Sequence, residues 1–263
     1  MGLLGGIGLL NDTSWEEIKR ISDAGKAANY WSVGDSKEVI LNGTVGALTF
    51  SNYLTYVFII GFDHNSTYEG TNRIHFQFAK TALNSETDIC FVDSNYAYTG
   101  STAGFRMNTS NTNIGGWSSS YMRNTICGTS LVNYSGSFIG VLPSDLRAVL
   151  KSVTKYTDNT GNASTAAANV TATTDYIFLP AEYEVLGSAI YANENEASKQ
   201  ARYAYYSGGY RSRKYQHSAT SDMANWWVRS PRKHYGDEFV RIYADAQGNR
   251  ASYSFGFAPC FCV

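Results

Sequence analysis

The chain alternates short apolar segments with turns rich in Gly, Asn and Ser, a pattern typical of short strands and short helices. The clearest helix is predicted over residues 15–21, whose apolar side chains share one face. Ser14 can cap this helix, and Glu17 stands three residues later, as in a capping box. Gly25 is expected to stop the helix.

Alternating, β-branched and aromatic runs predict strands in much of the remaining chain. The predicted strands cover residues 37–41, 45–48, 53–62, 73–78, 88–92, 153–157, 176–180, 226–228, 239–243 and 258–263. Asn42 and Gly43 are predicted to form the hairpin turn between the first two strands. Residues 244–249 are predicted to form the turn between two of the closing strands.

The segments between these strands complete the predicted organisation. Helices are predicted over residues 117–126 and 143–150, a polar loop over residues 108–116, and a disordered loop over residues 158–168. No repeat of fixed period appears, and no Pro-rich linker divides the chain. We therefore expect one α+β domain over residues 31–263, preceded by a Gly-rich segment and the short helix within residues 1–30.

The start of the chain does not match a targeting signal. Residues 1–10 are apolar and Gly-rich but lack the basic start and the cleavage site of a signal peptide. Gly6 occupies the position where a myristoylation motif needs Ser or Thr. We expect a truncation point, or a flexible join to an upstream segment. No apolar run in the sequence is long enough to span a bilayer.

Composition narrows the class of partner. Charged residues make up 16% of the 263 residues and the net charge is −1, whereas binding to nucleic acid needs a clear surplus of Lys and Arg. Nucleic acid is therefore not expected as a partner. Aromatic residues reach 14%, with 20 Tyr, which suits a contact surface of the antibody-loop kind and equally suits aromatic strands in a β-rich core.

The four cysteines, Cys90, Cys127, Cys260 and Cys262, are too few for a disulfide framework in a chain of this length. A bridge between Cys260 and Cys262 would be strained, because only one residue separates them. Their C-x-C spacing, without companion Cys or His pairs, does not form a zinc motif. We expect free, partly buried thiols.

Motifs of the common enzyme classes are absent from the sequence. It contains no G-x-S-x-G nucleophile elbow, no H-E-x-x-H metal motif and no Walker loop. The four histidines are scattered, at positions 64, 75, 217 and 234. Asp63 and His64 with Asp222 could supply a base and its orienting partner, but no further residue supports that interpretation. A non-enzymatic function is the prediction.

The C-terminal forty residues are the most informative part of the chain. Two apolar, Gly- and Pro-containing segments, residues 226–231 and 256–263, bracket a run of mixed polar, charged and aromatic residues. A fixed scaffold around versatile side chains is how a binding surface is built. Trp226 and Trp227 are expected to be buried in that scaffold, and Arg229 is expected to form a structural ion pair or hydrogen-bond fork.

Motifs along most of the chain resemble a domain family of unassigned function found in gut Firmicutes and their prophages. They are WSVGD at 31–35, LNGTVG at 41–46, TDIC at 87–90, WSSSYMRN at 117–124, LPSDLR at 142–147, KYT at 155–157, DYIFL at 175–179, WWVRSP at 226–231, GFAP at 256–259 and FCV at 261–263. The resemblance covers nearly the whole chain after residue 30.

Domains of that family look like members of the C-type lectin fold, in the branch shared with formylglycine-generating enzymes. Some are variable proteins of diversity-generating retroelements, in which a mutagenic reverse transcriptase randomises adenines in a C-terminal repeat. The fold then displays the varied side chains as a ligand-binding face. The resemblance implies that residues 232–255, hereafter the variable window, form this face, and that residues 226–231 and 256–263 are its invariant frame.

The chemistry of adenine mutagenesis selects residues within the variable window. Changes at the adenines of an Asn codon can write Tyr, Ser, Asp, His, Arg, Gly, Phe, Val or Ala, but not Lys, Glu, Gln, Met or Trp. The implied ligand-contacting residues are Arg232, His234, Tyr235, Asp237, Arg241, Tyr243, Asn249, Arg250, Ser252, Tyr253 and Phe255. Lys233, Glu238 and Gln247 do not fit, and Cys260 stands where a small residue is expected.

The resemblance implies a receptor-type protein that binds a protein or glycan ligand on a cell surface. Display on a phage virion, in association with the tail, or on the bacterial cell surface would follow. No cofactor is expected, because the Glu-Pro-Asn or Gln-Pro-Asp signature of calcium-dependent lectins is absent; a structural calcium ion stays open. Two alternatives remain: an oxidase of the formylglycine-generating branch, for which the spacing of Cys260 and Cys262 is a poor match, and a structural virion or surface module.

Overall fold

The structure is a computed structural model that describes residues 9–84, 87–92, 105–215 and 223–263. Its strands are β1 (Ser36–Val45), β2 (Leu48–Phe62), β3 (Ile74–Lys80), β4 (Ile89–Cys90), β5 (Val153–Asp158), β6 (Val170–Asp175), β7 (Ile177–Phe178), β8 (Lys214–Tyr215), β9 (Trp226–Pro231), β10 (Glu238–Ile242), β11 (Ala246–Arg250) and β12 (Cys260–Cys262). Its α-helices are α1 (Trp15–Asp23), α2 (Ser66–Glu69), α3 (Gly116–Ser119), α4 (Phe138–Val141), α5 (Ser144–Val149), α6 (Glu182–Leu186) and α7 (Ala204–Ser207). A π-helix spans Met122–Cys127, and 3₁₀ turns span Leu10–Asp12, Ala27–Asn29, Ala167–Asn169 and Glu194–Ser198.

Mostly antiparallel sheets and a few short helices make up this mixed fold, as the sequence predicts. The largest sheet is curled like half a barrel and has the strand order β1-β2-β3-β12-β7. The C-terminal strand β12 thus lies between β3 and β7, although some 180 residues separate it from β3 in the sequence. A second sheet has the order β11-β10-β9 and carries most of the variable window.

The predicted N-terminal helix is confirmed as α1. The Ser14 side chain accepts a hydrogen bond from the Glu17 backbone N–H, so the predicted cap is present. Trp15 anchors the helix on the main sheet, where its ring centroid lies 5.5 Å from that of Phe76 and 6.0 Å from that of Phe261. Edge-to-face packing of this kind adds to the apolar area that the helix buries.

The predicted turn at Asn42 and Gly43 is wrong. Strand β1 continues to Val45, which pairs with Leu48, so the two-residue turn lies at positions 46 and 47. Gly46 has a φ of +56°, which suits the first position of such a turn. Asn42 instead lies opposite a bulge in β2, because Leu41 pairs with Tyr53 whereas Gly43 pairs with Phe50, and the Asn42 side chain accepts a hydrogen bond from the backbone N–H of Asn52.

Three other predicted elements differ from the structure. The helix predicted over residues 117–126 is split at Ser120 into α3 and the π-helix. The turn predicted over residues 244–249 is wrong, because residues 246–250 are strand β11 and the turn is confined to residues 243–245. The loop over residues 158–168 is held by hydrogen bonds, among them those from the backbone N–H groups of residues 160 and 161 to the Asp158 side chain.

Among the remaining helices and strands, one predicted helix and most predicted strands are confirmed in outline. The helix predicted over residues 143–150 is α5, and most predicted strands are present, although several are shorter than predicted. The four cysteines are free, and each is fully buried rather than partly buried. Within the described ranges, no helix is long and apolar enough to cross a membrane.

Candidate functional site

The variable window begins where β9 ends and follows the β10–β11 hairpin to the chain that precedes β12. Of the candidate contact residues, His234, Tyr235 and Arg250 are exposed. Six more are partly exposed: Arg232, Asp237, Tyr243, Asn249, Ser252 and Tyr253. Nine of the eleven candidates are therefore available at the surface, and they lie within one hairpin and the loops beside it.

Phe255 and Arg241 are buried, so their predicted role as surface contacts is wrong. Phe255 is 1% exposed, and its ring packs edge-on against Trp227 with the centroids 4.8 Å apart. Its backbone N–H donates to the carbonyl of Phe105, which draws the side chain into the core. Arg241 is 7% exposed and donates a hydrogen bond to the side chain of Gln247 on the neighbouring strand. Both residues therefore belong to the buried support of the window and not to its contact surface.

The backbone of residues 232–238 is hydrogen-bonded to the buried side-chain amide of Asn113. The Asn113 side chain is fully buried, and its Nδ2 donates to the carbonyl oxygens of Tyr235 and Glu238, each at 2.7 Å. The Asn113 backbone N–H donates to the carbonyl of Gly236 at 2.8 Å, and its Oδ1 accepts from the backbone N–H of Asn162 at 2.8 Å. Because the loop carbonyls bond inward, the loop backbone is fixed by a residue outside the window.

Further backbone contacts fix the loop from its other side. Arg232 forms an isolated β-bridge with Ala192, and the Lys233 backbone N–H donates to the carbonyl of Tyr191 at 2.8 Å. Buried Glu182 in turn accepts hydrogen bonds from the backbone N–H groups of Tyr191 and Ala192. A chain of hydrogen bonds thus runs from α6 to the window without using an exposed window side chain.

Three residues of the window cannot arise by adenine changes in an Asn codon, and each of them has a polar partner within the protein. The pairs are Lys233 with Glu194 at 3.4 Å, Glu238 with Arg232, and Gln247 with Arg241. The Arg232 guanidinium also lies 3.7 Å from the ring centroid of Tyr235 and 5.3 Å from that of Tyr191. These side chains hold the window in shape, which places Arg232 with the supporting residues rather than with the free contacts.

Strand β9, which leads into the window, is anchored by a buried charge cluster. Trp226, Trp227 and Arg229 are each 0% exposed, so the predicted burial of the two Trp residues is confirmed. The Arg229 guanidinium forks onto the two carboxylate oxygens of Glu184, at 2.5 and 3.0 Å. Lys155 also contacts Glu184, at 3.1 Å.

Glu69 completes the cluster, because it accepts a hydrogen bond from the ammonium of Lys155 at 2.6 Å. Two buried carboxylates thus face two buried cations. Burial opposes ionisation of Glu184, but Arg229 and Lys155 outweigh it and hold the pKa of Glu184 below its usual value. Burial raises the pKa of Glu69, an effect that the charge of Lys155 opposes, and burial lowers the pKa of His64 to about 3, so His64 is neutral.

His64, Glu69 and Glu184 are the one group among the described residues whose ligand atoms are close enough to share a metal ion, all within 4.8 Å of one another. The Lys155 ammonium already bonds both carboxylates, and Arg229 balances the remaining negative charge. A divalent ion there would add charge to a neutral, dry cluster. Calcium also prefers six or more oxygen ligands. The cluster therefore does not fit the structural calcium that the sequence left open.

The other candidate chemistry is also buried or dispersed. Cys260 and Cys262 are 0% exposed on β12, and burial raises the pKa of both thiols, that of Cys262 to about 12. A buried, protonated thiol is a poor nucleophile and a poor metal ligand. His64 stacks on Tyr203 with 3.6 Å between the ring centroids. Asp222, the candidate partner of His64, lies outside the described residues, as does His217.

Asn113 and Tyr191 support the backbone of the window, and the sequence did not predict either role. Asn113 falls in the predicted polar loop, where Asn is common for local turn reasons, and it lies some 120 residues from the loop that it supports. The only local signal is the unusual density of Asn between positions 108 and 113. That signal does not say which Asn turns inward.

The buried carboxyl of Glu196, which contacts Ser230 on β9, makes the stability of the protein depend on pH. Glu196 is fully buried; it accepts hydrogen bonds from the Asp158 backbone N–H at 2.9 Å and from the Ser230 hydroxyl at 2.7 Å. Burial raises its pKa to about 7, whereas an unfolded Glu titrates near 4.5. The folded state therefore binds the proton more tightly, and the stability that this adds is present below about pH 4.5 and is lost as pH rises through 7.

We predict that Glu196→Gln removes this loss. Relative to the parent protein, the free energy of unfolding of the variant should rise by roughly 3 kcal/mol between pH 4.5 and pH 8, since each pKa unit corresponds to about 1.4 kcal/mol. Urea titrations across this range measure the difference. Glu194→Gln, a change on the same 3₁₀ turn at an exposed side chain, is the control and should show no such rise. Parallel pH profiles for parent and Glu196→Gln would contradict the assignment.

Comparison with known proteins gives one family. The profile of a family described as a domain of unknown function (DUF6273) matches residues 83–263, which is more than half of the chain and includes the whole variable window. No curated protein and no solved structure matches the chain. The chain belongs to the DUF6273 domain family.

Proposed function

We propose that this chain is a non-enzymatic, receptor-type binding protein with a C-type lectin fold, in the branch shared with formylglycine-generating enzymes. Its variable window is diversified by a retroelement and recognises variable targets, such as molecules on a host or bacterial surface. One observation carries the proposal: the window backbone is bonded to residues outside the window, while most of its candidate contact side chains are at least partly exposed. Such side chains can change without loss of the backbone that displays them.

Burial and internal pairing narrow the residues that would contact the ligand. The proposed contacts are His234, Tyr235, Asp237, Tyr243, Asn249, Arg250, Ser252 and Tyr253. Tyr and Arg are the residue types that most often dominate binding energy, because they bury large areas at little entropic cost. The exposed ion pair between Arg250 and Asp237, at 3.9 Å, is weak enough to be exchanged for contacts with a ligand.

The ligand that this surface suits is a protein or a glycan. Tyrosines and small polar side chains bind either class by stacking and hydrogen bonding. The window mixes acidic and basic residues, and the chain carries a net charge of −1, so it offers no basic surface for nucleic acid. Display on a phage tail or on a bacterial cell surface is part of the same proposal.

The oxidase alternative is the weaker hypothesis. It requires thiols that reach a copper ion and a substrate, whereas Cys260 and Cys262 are fully buried between β3 and β7. Burial also raises the pKa of both thiols, which disfavours the thiolate that such chemistry needs. A structural module would gain support if the exposed window were found buried between copies of the chain.

The retroelement origin makes a genomic prediction. We expect a second, near-identical copy of the DNA that encodes residues 226–263, next to a reverse transcriptase gene. The two copies should differ only where the template has adenine, and those positions should fall on the codons of the proposed contacts. Sequencing the locus decides the point. Differences spread over all four bases, or a locus without a reverse transcriptase, would contradict the retroelement origin.

The second prediction is that the fold tolerates new side chains at the proposed contacts. We expect a library that varies the eight proposed contacts among the residues reachable from Asn codons to remain mostly folded, as measured by protease resistance of displayed variants. A matched library varies eight buried supporting positions with the same codons: Asn113, Trp226, Trp227, Arg229, Phe239, Arg241, Ala251 and Phe255. Its members should be cleaved almost without exception, because they lose core packing and buried polar partners. Equal loss of folding in both libraries would refute the proposal.

A further inference from the structure

A second surface feature lies away from the variable window. A cavity of about 400 Å³ opens to solvent between the segment before β1, the end of β3 and helix α7. Its lining includes Gly34, Asn84, Tyr205, Ser207 and Tyr210. Ligand sites in proteins commonly begin at this size and combine aromatic walls with a few polar groups. No residue of the variable window is among the described residues that line the cavity.

Two tyrosines form its aromatic wall. The rings of Tyr205 and Tyr210 are tilted by 36° with their centroids 5.6 Å apart, and Tyr210 is 53% exposed. A Cβ atom at Gly208 would lie 2.7 Å from the Tyr210 ring, so the ring rests against a backbone that only glycine leaves clear. The exposed Tyr210 ring thus has a defined position and is available to a flat ligand.

The floor of the cavity is polar but neutralised. Lys80 is the only ionised side chain among the described lining residues, and its ammonium lies 2.8 Å from the carboxylate of Asp88. The Tyr205 hydroxyl donates to the same carboxylate at 2.9 Å. Burial, together with the negative charge of Asp88, raises the pKa of Tyr205, so this hydroxyl stays protonated. A neutralised cation gives no strong attraction to an anionic ligand.

Hydrogen-bonding groups stand at the rim. Ser207 donates its hydroxyl proton to the carbonyl of Ala204 at 2.6 Å, which leaves the oxygen lone pairs to accept from a ligand. The amide of Asn84 adds both a donor and acceptors. An aromatic face with such groups suits a ring that is apolar on one face and hydroxylated at its edge.

We propose that this cavity is a second binding site, for a neutral sugar ring that stacks on Tyr210 and hydrogen-bonds to Asn84 and Ser207. The site is independent of the proposed function of the variable window. It is constant in sequence under that proposal, because its residues lie outside residues 232–255. A constant glycan contact would hold the protein near a cell surface whatever the window recognises.

The test is titration of the full chain with the methyl glycosides of glucose, galactose and N-acetylglucosamine, followed by protein NMR. We expect at least one neutral glycoside to cause saturable shifts at the cavity residues, with a dissociation constant on the order of 1 mM. Tyr210→Ala should weaken this binding by about tenfold or more, whereas Tyr210→Phe keeps the stacking ring and should retain it. Ser207→Trp should block the cavity.

Two comparisons keep the outcome specific. Glucuronate carries a carboxylate and should bind no better than the neutral glycosides. Tyr235→Ala, a change in the variable window, should leave the sugar titration unchanged, so that failure of one site is distinguishable from failure of the other. The proposal is overturned if none of the neutral glycosides binds at the highest soluble concentration, if only glucuronate binds, or if Tyr210→Ala binds as the parent does.

Discussion

Four buried charges that must cancel one another organise this protein. Arg229 and Lys155 face Glu184 and Glu69, and all four side chains are almost completely excluded from water. An ion left unpaired in such a place typically costs about 3–5 kcal/mol, so the elements that carry these residues cannot move independently. The cluster therefore ties β9 to β5, α6 and α2, and with β9 it fixes the point from which the variable window starts.

In the proposed function, the residues that fix the backbone of the window differ from the residues that contact the ligand. Asn113, Tyr191 and the paired Arg232 hold the backbone between residues 232 and 238, and none of them needs an exposed contact residue to do so. The side chains of His234, Tyr235 and Arg250 are exposed, and the contacts of Tyr235 with Arg232 and of Arg250 with Asp237 lie at the surface. Preorganised loops of this kind bind with little ordering cost, whatever the side chains that they carry.

Local patterns in the sequence predicted local structure well, and long-range pairing poorly. Helix α1 was predictable because its capping residue and its apolar face both lie within ten consecutive residues of the sequence. The turn at positions 46 and 47 was not predictable, because strand register is set by which residues the whole sheet buries. The burial of Phe255 was not predictable, because it depends on pairing with Phe105, 150 residues earlier in the chain.

The candidate site divides in the same way. The frame at Trp226, Trp227 and Arg229 was predictable, because large aromatic residues and an isolated Arg in an apolar run are rarely left at a surface. The support from Asn113 was not, since a buried amide and an exposed one look alike in a polar loop. Pairing of Lys233, Glu238 and Gln247 with their neighbours explains why the three residues that fit the coding argument least belong to the support.

Hydrogen exchange of the window backbone tests the separation of support from contact most directly. The relevant amides are those of Arg232, Lys233 and Ala251, which donate to carbonyls at 2.8–3.0 Å. Replacing His234, Tyr235, Arg250 and Tyr253 together by Ala should leave their protection factors nearly unchanged. Asn113→Ala should lower them by about tenfold or more, since it removes the buried donor to the loop carbonyls. Loss of protection in the fourfold variant, or its retention in Asn113→Ala, would contradict the account.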